Sequence, residues 1–414
     1  MQRTLTAGAS LMLILGALFV TPPVDAKTWR VRPGPDAQAQ LQTALIEARP
    51  GDSVRLARGR FEFTAGLSLD VDRVTIQGEG SDKSILSFTG QTNGAEGLLV
   101  TSDDVVLRDF AVENPRGDGI KSKGADRITF RDLRVEWTRG PHRDNGAYGV
   151  YPVGSTDVLI DRVTVRGASD AGIYVGQSRN IIVRRSLAEF NVAGIEIENS
   201  IGADVHDNVT RRNTGGILVF DLPGVPQTGG HSTRVFRNQI IQNDTPNFAP
   251  AGNIVAGVPT GTGVIVMANR NVHIFDNTIG DNGTANVIIT AYRQEITDAT
   301  YNPLPRDIVV RNNVFGRGGF EPAGDFAALR AAGVPFSDIV WDGATIYVAG
   351  GTPREEPVRI SVADNRSTTN RPVGFLSLGL SIASAPVTDA QPDATMPGAL
   401  AIAPPAPIRL PQGR

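Results

Sequence analysis

Residues 172–199 read GIYVGQSRNIIVRRSLAEFNVAGIEIEN, and this stretch decides the fold. Gly172-Ile173-Tyr174 returns 22 residues later as Gly194-Ile195-Glu196, and Ile181-Ile182-Val183 returns at the same spacing as Ala203-Asp204-Val205. A period this short is too small for a strand plus a crossover helix. It suits three strands of about four or five residues with turns between them, which is one coil of a parallel β-helix.

Working outward, the same apolar triplet recurs with landmarks at Ile76, Leu107, Phe130, Ile160, Val183, Val205, Val235, Ile274, Val310 and Val362, separated by 31, 23, 30, 23, 22, 30, 39, 36 and 52 residues. The shortest steps set the unit, and the longer ones mark loops inserted at turns. The predicted fold is all-β: a right-handed parallel β-helix, a solenoid of about ten coils that at ordinary strand separation makes a rod about 45 Å long. Asn208, Asn238, Asn277, Asn313 and Asn365 each follow a landmark by three residues. Stacking puts them in one column, where amides bond to one another and to turn backbone, so they are read as a structural ladder.

The ends fit a capped rod. Leu41, Ala44, Leu45 and Ala48 fall at i, i+3, i+4 and i+7, which predicts an amphipathic capping helix. The expected organisation is a leader over 1–26, a cap and first strands over 27–70, the β-helix over 71–375 and a Pro- and Ala-rich tail or cap over 376–414. In the leader, Arg3 precedes an apolar run at 11–20, and Val24, Asp25 and Ala26 offer a cleavage site. The expected location is therefore periplasmic or secreted. The chain has no cysteine and a net charge of −3. That excludes disulfides, thiol chemistry and a lipoprotein anchor, and no basic run marks a nucleic-acid partner.

The runs Gly117-Asp118-Gly119-Ile120-Lys121, 145–153, Gly172 to Ser178, Gly194 to Ser200, Gly215 to Pro223 and Asn243 to Asn253 resemble a family of exported right-handed parallel β-helix repeat proteins of unassigned function. The resemblance spans roughly residues 70–370. It implies the fold, export and often a second exported protein as partner, and it implies no catalytic residues. More remotely the repeats look like those of pectate lyases and mannuronan epimerases.

Alternation along the second strand of each coil builds two outward columns. One holds Lys121, Tyr151, Tyr174, Glu196, Leu218 and Ile265, and the other Lys123, Val153, Gly176, Glu198, Phe220 and Met267, with Gln177, Asn199 and Asp221 flanking them. The insertions at 137–146, 221–232 and 243–262 adjoin this strand and either wall a groove or pack over its apolar half. Two chemistries suit the polar half. A lyase or epimerase acting on an acidic polysaccharide needs a cation (Lys121, Lys123), an acid or base (Tyr151, Tyr174) and a loop base (His142). A hydrolase needs two carboxylates, and Glu196 and Glu198 lie two apart on one strand. Lys121, Lys123, Gln177, Asn199 and Asp221 are the candidate substrate-binding residues. No cofactor is called for: a Ca²⁺ on Asp118, Asp144, Asp170 or Glu196 has no binding motif behind it, and the four histidines lack ligand spacing. The alternative is a non-catalytic binding or assembly protein serving an exported partner.

Overall fold

The computed structural model describes residues 26–411, so the leader expected over 1–26 lies, save its last residue, outside the described residues. Short strands follow one another in a cycle of three, and each pairs in parallel with the strand one coil away, save the antiparallel hairpin of Ile346–Ala349 and Thr352–Glu355. Sheet I has twelve strands beginning with Thr28–Val31 and Ser53–Leu56, sheet II has eleven beginning with Gly59–Glu62, and sheet III has eleven beginning with Ala65–Leu69. The result is a right-handed parallel β-helix.

All ten landmarks face one another in sheet I, from Ile76 opposite Leu107 to Val310 opposite Val362. Sheet I exceeds the expected ten because Thr28–Val31 and Ser53–Leu56 extend it at the N-terminal end, ahead of the first full repeat. Inner columns of all three sheets interdigitate in one continuous apolar core running the length of the rod. Fully burying each of these Val, Ile or Leu side chains contributes about 1.5–3 kcal/mol. A helix over Ala37–Glu47 lies across the N-terminal end and buries Ala37, Leu41, Ala44 and Leu45 against the first coils.

The corner between sheets I and II explains the asparagines. Asp207, Arg237, Asp276, Asn312 and Asp364 turn the chain there with φ between 53° and 56°. The residue after each is a ladder asparagine. The side-chain Oδ1 of Asn238 accepts both the backbone N–H and the side-chain N–H of Asn208 at 3.0 Å, and the pattern repeats through Asn277, Asn313 and Asn365. Buried amides are thereby satisfied at every coil. A second ladder, not anticipated, occupies the corner between sheets II and III: Asn191, Asn213, Asn243 and Asn282 bond in series and end, through Asn286, on Asp338. Its steps of 22, 30 and 39 copy the landmark spacings and were the signal for it.

The C-terminal tail leaves the last coil and turns back. Leu400 N–H donates to the Ser361 hydroxyl at 2.9 Å and Ile408 N–H to Asp204 at 3.1 Å. Ser361 and Asp204 stand on strands of sheet I four spacings apart, roughly 19 Å. Eight Pro-rich residues in extended conformation span about 25 Å, enough to cross them.

Candidate active site

Sheet III carries both outward columns in the expected register. Lys121 faces Tyr151, Tyr174 faces Glu196, Glu196 faces Leu218, and Leu218 faces Ile265, while Gly176 faces Glu198 and Glu198 faces Phe220. These columns are not open to solvent along their length. Residues 243–262 fold over the apolar half, where Val255 and Val258 join Leu218, Phe220, Ile265 and Ile288 in a satellite core. The polar half lies at the edge of this cover. Tyr148, Tyr151 and Lys121 are half-buried there, and behind them Tyr174 is 4 %, Asp170 6 %, Glu198 8 % and Glu196 1 % exposed.

The tyrosines form a cluster, with ring centroids 4.5 Å apart for Tyr148–Tyr151 and Tyr148–Tyr174 and 4.9 Å for Tyr151–Tyr174. Tyr174 reaches diagonally across the sheet and its hydroxyl donates to Glu198 Oε1 at 2.7 Å. The residue it crosses is Gly176, where a Cβ would stand 2.4 Å from the phenol ring. Only glycine leaves room for that bond. Asp170, from the turn entering Ala171–Gly176, accepts from Asn253 Nδ2 of the covering loop at 3.1 Å. Glu196 Oε2 has no hydrogen-bond partner.

Among the described residues none of Asp170, Glu196 and Glu198 forms an ion pair. Burial pushes all three carboxyls up. Asp170 rises to about 7 through burial and the nearby Glu198 charge, offset by the Asn253 bond. Glu198 also rises to about 7, through burial against the Tyr174 hydrogen bond. Glu196 is held well above the usual carboxylate range by burial and by its two acidic neighbours. Burial lifts the phenols too, Tyr151 to about 12 and Tyr148 and Tyr174 higher still. At neutral pH the phenols are donors, and the carboxyls share protons.

Lys121 is the cation of the group, but it is already held. Its Nζ lies 3.4 Å from Glu96 and 3.4 Å from Asp118, over the Tyr151 ring at 4.7 Å. Lys123 is exposed at the next outward position. His142 stands exposed at the tip of 137–146, with Asp144 of its own loop as its ionic neighbour at 3.6 Å, so it is not part of the cluster. Gln177 and Asn199 take the left-handed turn position that ends their strands, with φ of 50° and 48°. Asn199 is buried and bonds to Asp221 and Leu222, and Asp221 is buried with its oxygens on the Gly229 and Gly230 N–H groups. Asn199 and Asp221 therefore brace the 221–232 loop. Of the residues that complete the cluster, Asp170 entered only as a Ca²⁺ ligand, and Tyr148 and Asn253 were not singled out. Among the described residues no group of three or more His, Cys, Asp or Glu stands close enough to hold a metal ion.

Residues 74–225 match the family described as the right handed beta helix region. A comparison with curated proteins found no match. Among solved structures, the chain is similar to DFA-IIIase from Arthrobacter chlorophenolicus A6 without its lid in complex with GF2, at 13 % identity and TM-score 0.54 over 86 % of this chain and 99 % of that one. A tailspike protein mutant of E. coli bacteriophage HK620 in complex with pentasaccharide aligns at 10 % identity and TM-score 0.53 over 83 % and 61 % of the two chains. The mannuronan C-5 epimerase A-module from Azotobacter vinelandii aligns at 15 % identity and TM-score 0.48 over 80 % and 91 %. At these identities the likeness is one of fold. Matched repeats, stacked sheets and structural neighbours agree: the chain is a right-handed parallel β-helix protein.

Proposed function

We propose that this is an exported carbohydrate-active enzyme that cleaves a glycan by hydrolysis at the open edge of the tyrosine–carboxylate cluster. The observation that carries the reading is the pair Asp170 and Glu198, each poised near neutrality by burial without a cation. Hydrolysis asks for this: one carboxyl donates its proton to the leaving glycosidic oxygen, and another carboxylate takes a proton from the water that attacks the anomeric carbon. Glu196, one position behind, is raised furthest by its own burial and by the charges of Asp170 and Glu198. The acid donor and the base come from one coupled set, so the pair titrates together rather than residue by residue. The handling of glycans by proteins of similar fold, DFA-IIIase and a tailspike among them, is consistent with this.

Local charge favours a neutral glycan over the acidic polymer of the lyase or epimerase reading. Lys121 is already held by Glu96 and Asp118, and Asp170, Glu196 and Glu198 add three more carboxyls beside it, with Lys123 exposed at the next outward position. A uronate entering here meets more carboxyls than ammonium groups. Purified chain incubated with neutral and acidic polysaccharides is expected to release reducing ends from a neutral one. Glu198→Gln and Asp170→Asn should each lower that turnover by about 10²-fold or more with the glycan still bound. Unsaturated ends from an acidic polymer would return the lyase reading. Binding without any turnover would decide for the non-catalytic one.

A further inference from the structure

The corner between sheets II and III carries an anomaly. Its left-handed turn position is filled on successive coils by Phe190, Arg212, Gln242 and Asp281, with φ of 62°, 54°, 52° and 54°. At the matching corner between sheets I and II the position holds Asp or Asn, whose side chains bond locally and tolerate it, or Arg, which carries its charge into solvent. Phe190 does neither, and it is 39 % exposed, so neither conformation nor core packing asks for a phenyl ring there. A strained and solvated aromatic is an observation that points to function.

A second exposed ring stands on the same ridge. Phe320 is 42 % exposed, with the Arg317 guanidinium 4.6 Å from its centroid. It borders an open groove of about 550 Å³ that Gln242, Asp244, Asp281, Arg317 and Glu321 also line. The turns connect the two rings: Phe190 N–H donates to the Arg212 carbonyl, Arg212 N–H to that of Gln242 and Gln242 N–H to that of Gly280, beside Asp281. Each step advances one strand spacing of about 4.8 Å, so Phe190 precedes Asp281 by roughly 14 Å. The charges along the way are mostly matched, Arg212 with Asp244 at 2.9 Å and Arg317 with Asp281 at 2.9 Å.

We propose that this ridge is a second glycan-binding site, separate from the cluster on sheet III, which holds a neutral oligosaccharide along the rod with its sugar faces on Phe190 and Phe320. The chemistry suits that ligand. An apolar C–H face of a pyranose stacks on an exposed ring, and the amide, guanidinium and carboxylate groups between the rings bond hydroxyls without demanding a net charge. The repeat of about 4.8 Å per coil keeps polar groups in step with successive sugars.

The test is affinity electrophoresis of the full chain in gels cast with dextran, laminarin or hydroxyethyl cellulose, with polygalacturonate as the acidic counterpart. The wild-type chain is expected to be retarded by at least one neutral polymer, and the Phe190→Gly, Phe320→Ala double variant to bind it at least tenfold more weakly. Phe190→Gly alone should raise the melting temperature, because glycine relieves the left-handed turn, which separates loss of binding from loss of fold. The double variant should still release reducing ends from a short neutral oligosaccharide at the wild-type rate, so that failure at the catalytic cluster and failure here are read separately. Retardation by none of the neutral polymers, or equal retardation of the double variant, would each overturn the proposal.

Discussion

The outward faces of sheets II and III use the same residue types to opposite ends. On sheet II, Glu62, Glu113, Glu136 and Glu189 alternate with arginines: Arg60 and Arg134 clasp Glu113 at 2.5 and 2.8 Å, and Arg166 and Arg211 clasp Glu189 at 2.8 and 2.9 Å. Burial alone would raise Glu113 and Glu189, but the arginines reverse it and hold both below the usual carboxylate range. On sheet III, Asp170, Glu196 and Glu198 are as little exposed but lie deeper, with tyrosine and asparagine for company, and their carboxyls rise. A guanidinium at hydrogen-bond distance makes a strut of a carboxylate. Its absence leaves a proton to trade.

Removing one guanidinium should give the largest effect. Arg134→Met leaves Glu113 with Arg60 alone and Glu136 without its bond from Arg134, and urea denaturation at pH 7 is expected to show a loss of about 2 kcal/mol, the scale of a charge-assisted hydrogen bond. Adding Glu113→Gln should recover most of it, and a loss unchanged by the second substitution would mean that Arg134 acts by packing instead.

Next comes Gly176→Ala, which puts a methyl where the Tyr174 phenol passes. Turnover is expected to fall about tenfold, and the pH–rate profile to move upward, because Glu198 loses the bond that favours its charged form. A fall in rate with an unmoved profile would detach Tyr174 from the acid–base pair.

Glu196→Gln should have the smallest effect and the opposite sign. A carboxyl raised in the folded state contributes stability that is present below its unfolded value near 4.5 and is lost as pH rises through the folded one. The wild-type melting temperature should thus decline from pH 5 to 8. The variant should flatten that decline and gain about 1 kcal/mol at pH 8, with little change at pH 4. On sheet II the depressed carboxyls work the other way, with stability present above the unfolded value near 4.5 and lost as pH falls below it. Asp170 and Glu198 keep part of the decline in the variant, and a decline as steep as the wild type's would leave them as its whole source.

The ladder of coils was legible because a stacked fold writes its register into the chain: each landmark must be apolar to reach the core, and each corner asparagine must recur to satisfy its neighbour. The same alternation located Tyr151, Tyr174, Glu196 and Glu198 on one face. It did not show what covers that face. Asp170, Tyr148 and Asn253 arrive from turns and a long insertion whose path has no period, so stacking arithmetic does not reach them. The bracing role of Asn199 and Asp221 escaped the sequence for a related reason. Position beside a polar column looks the same in sequence whether a residue meets a ligand or ties a turn, and Asn199 has the left-handed φ of the latter.

The tail between Leu400 and Ile408 changes how such a rod comes apart. A stack of coils in which each touches only its neighbours frays from its ends, one unit at a time. Here the last strand of sheet I and one four spacings earlier are tied by the same peptide at Ser361 and Asp204. The final coil cannot peel away while that tie holds, and once the tie slips the coils beneath it lose their cover together. The C-terminal part of the solenoid is therefore expected to melt as a single cooperative block, with the tail as its latch.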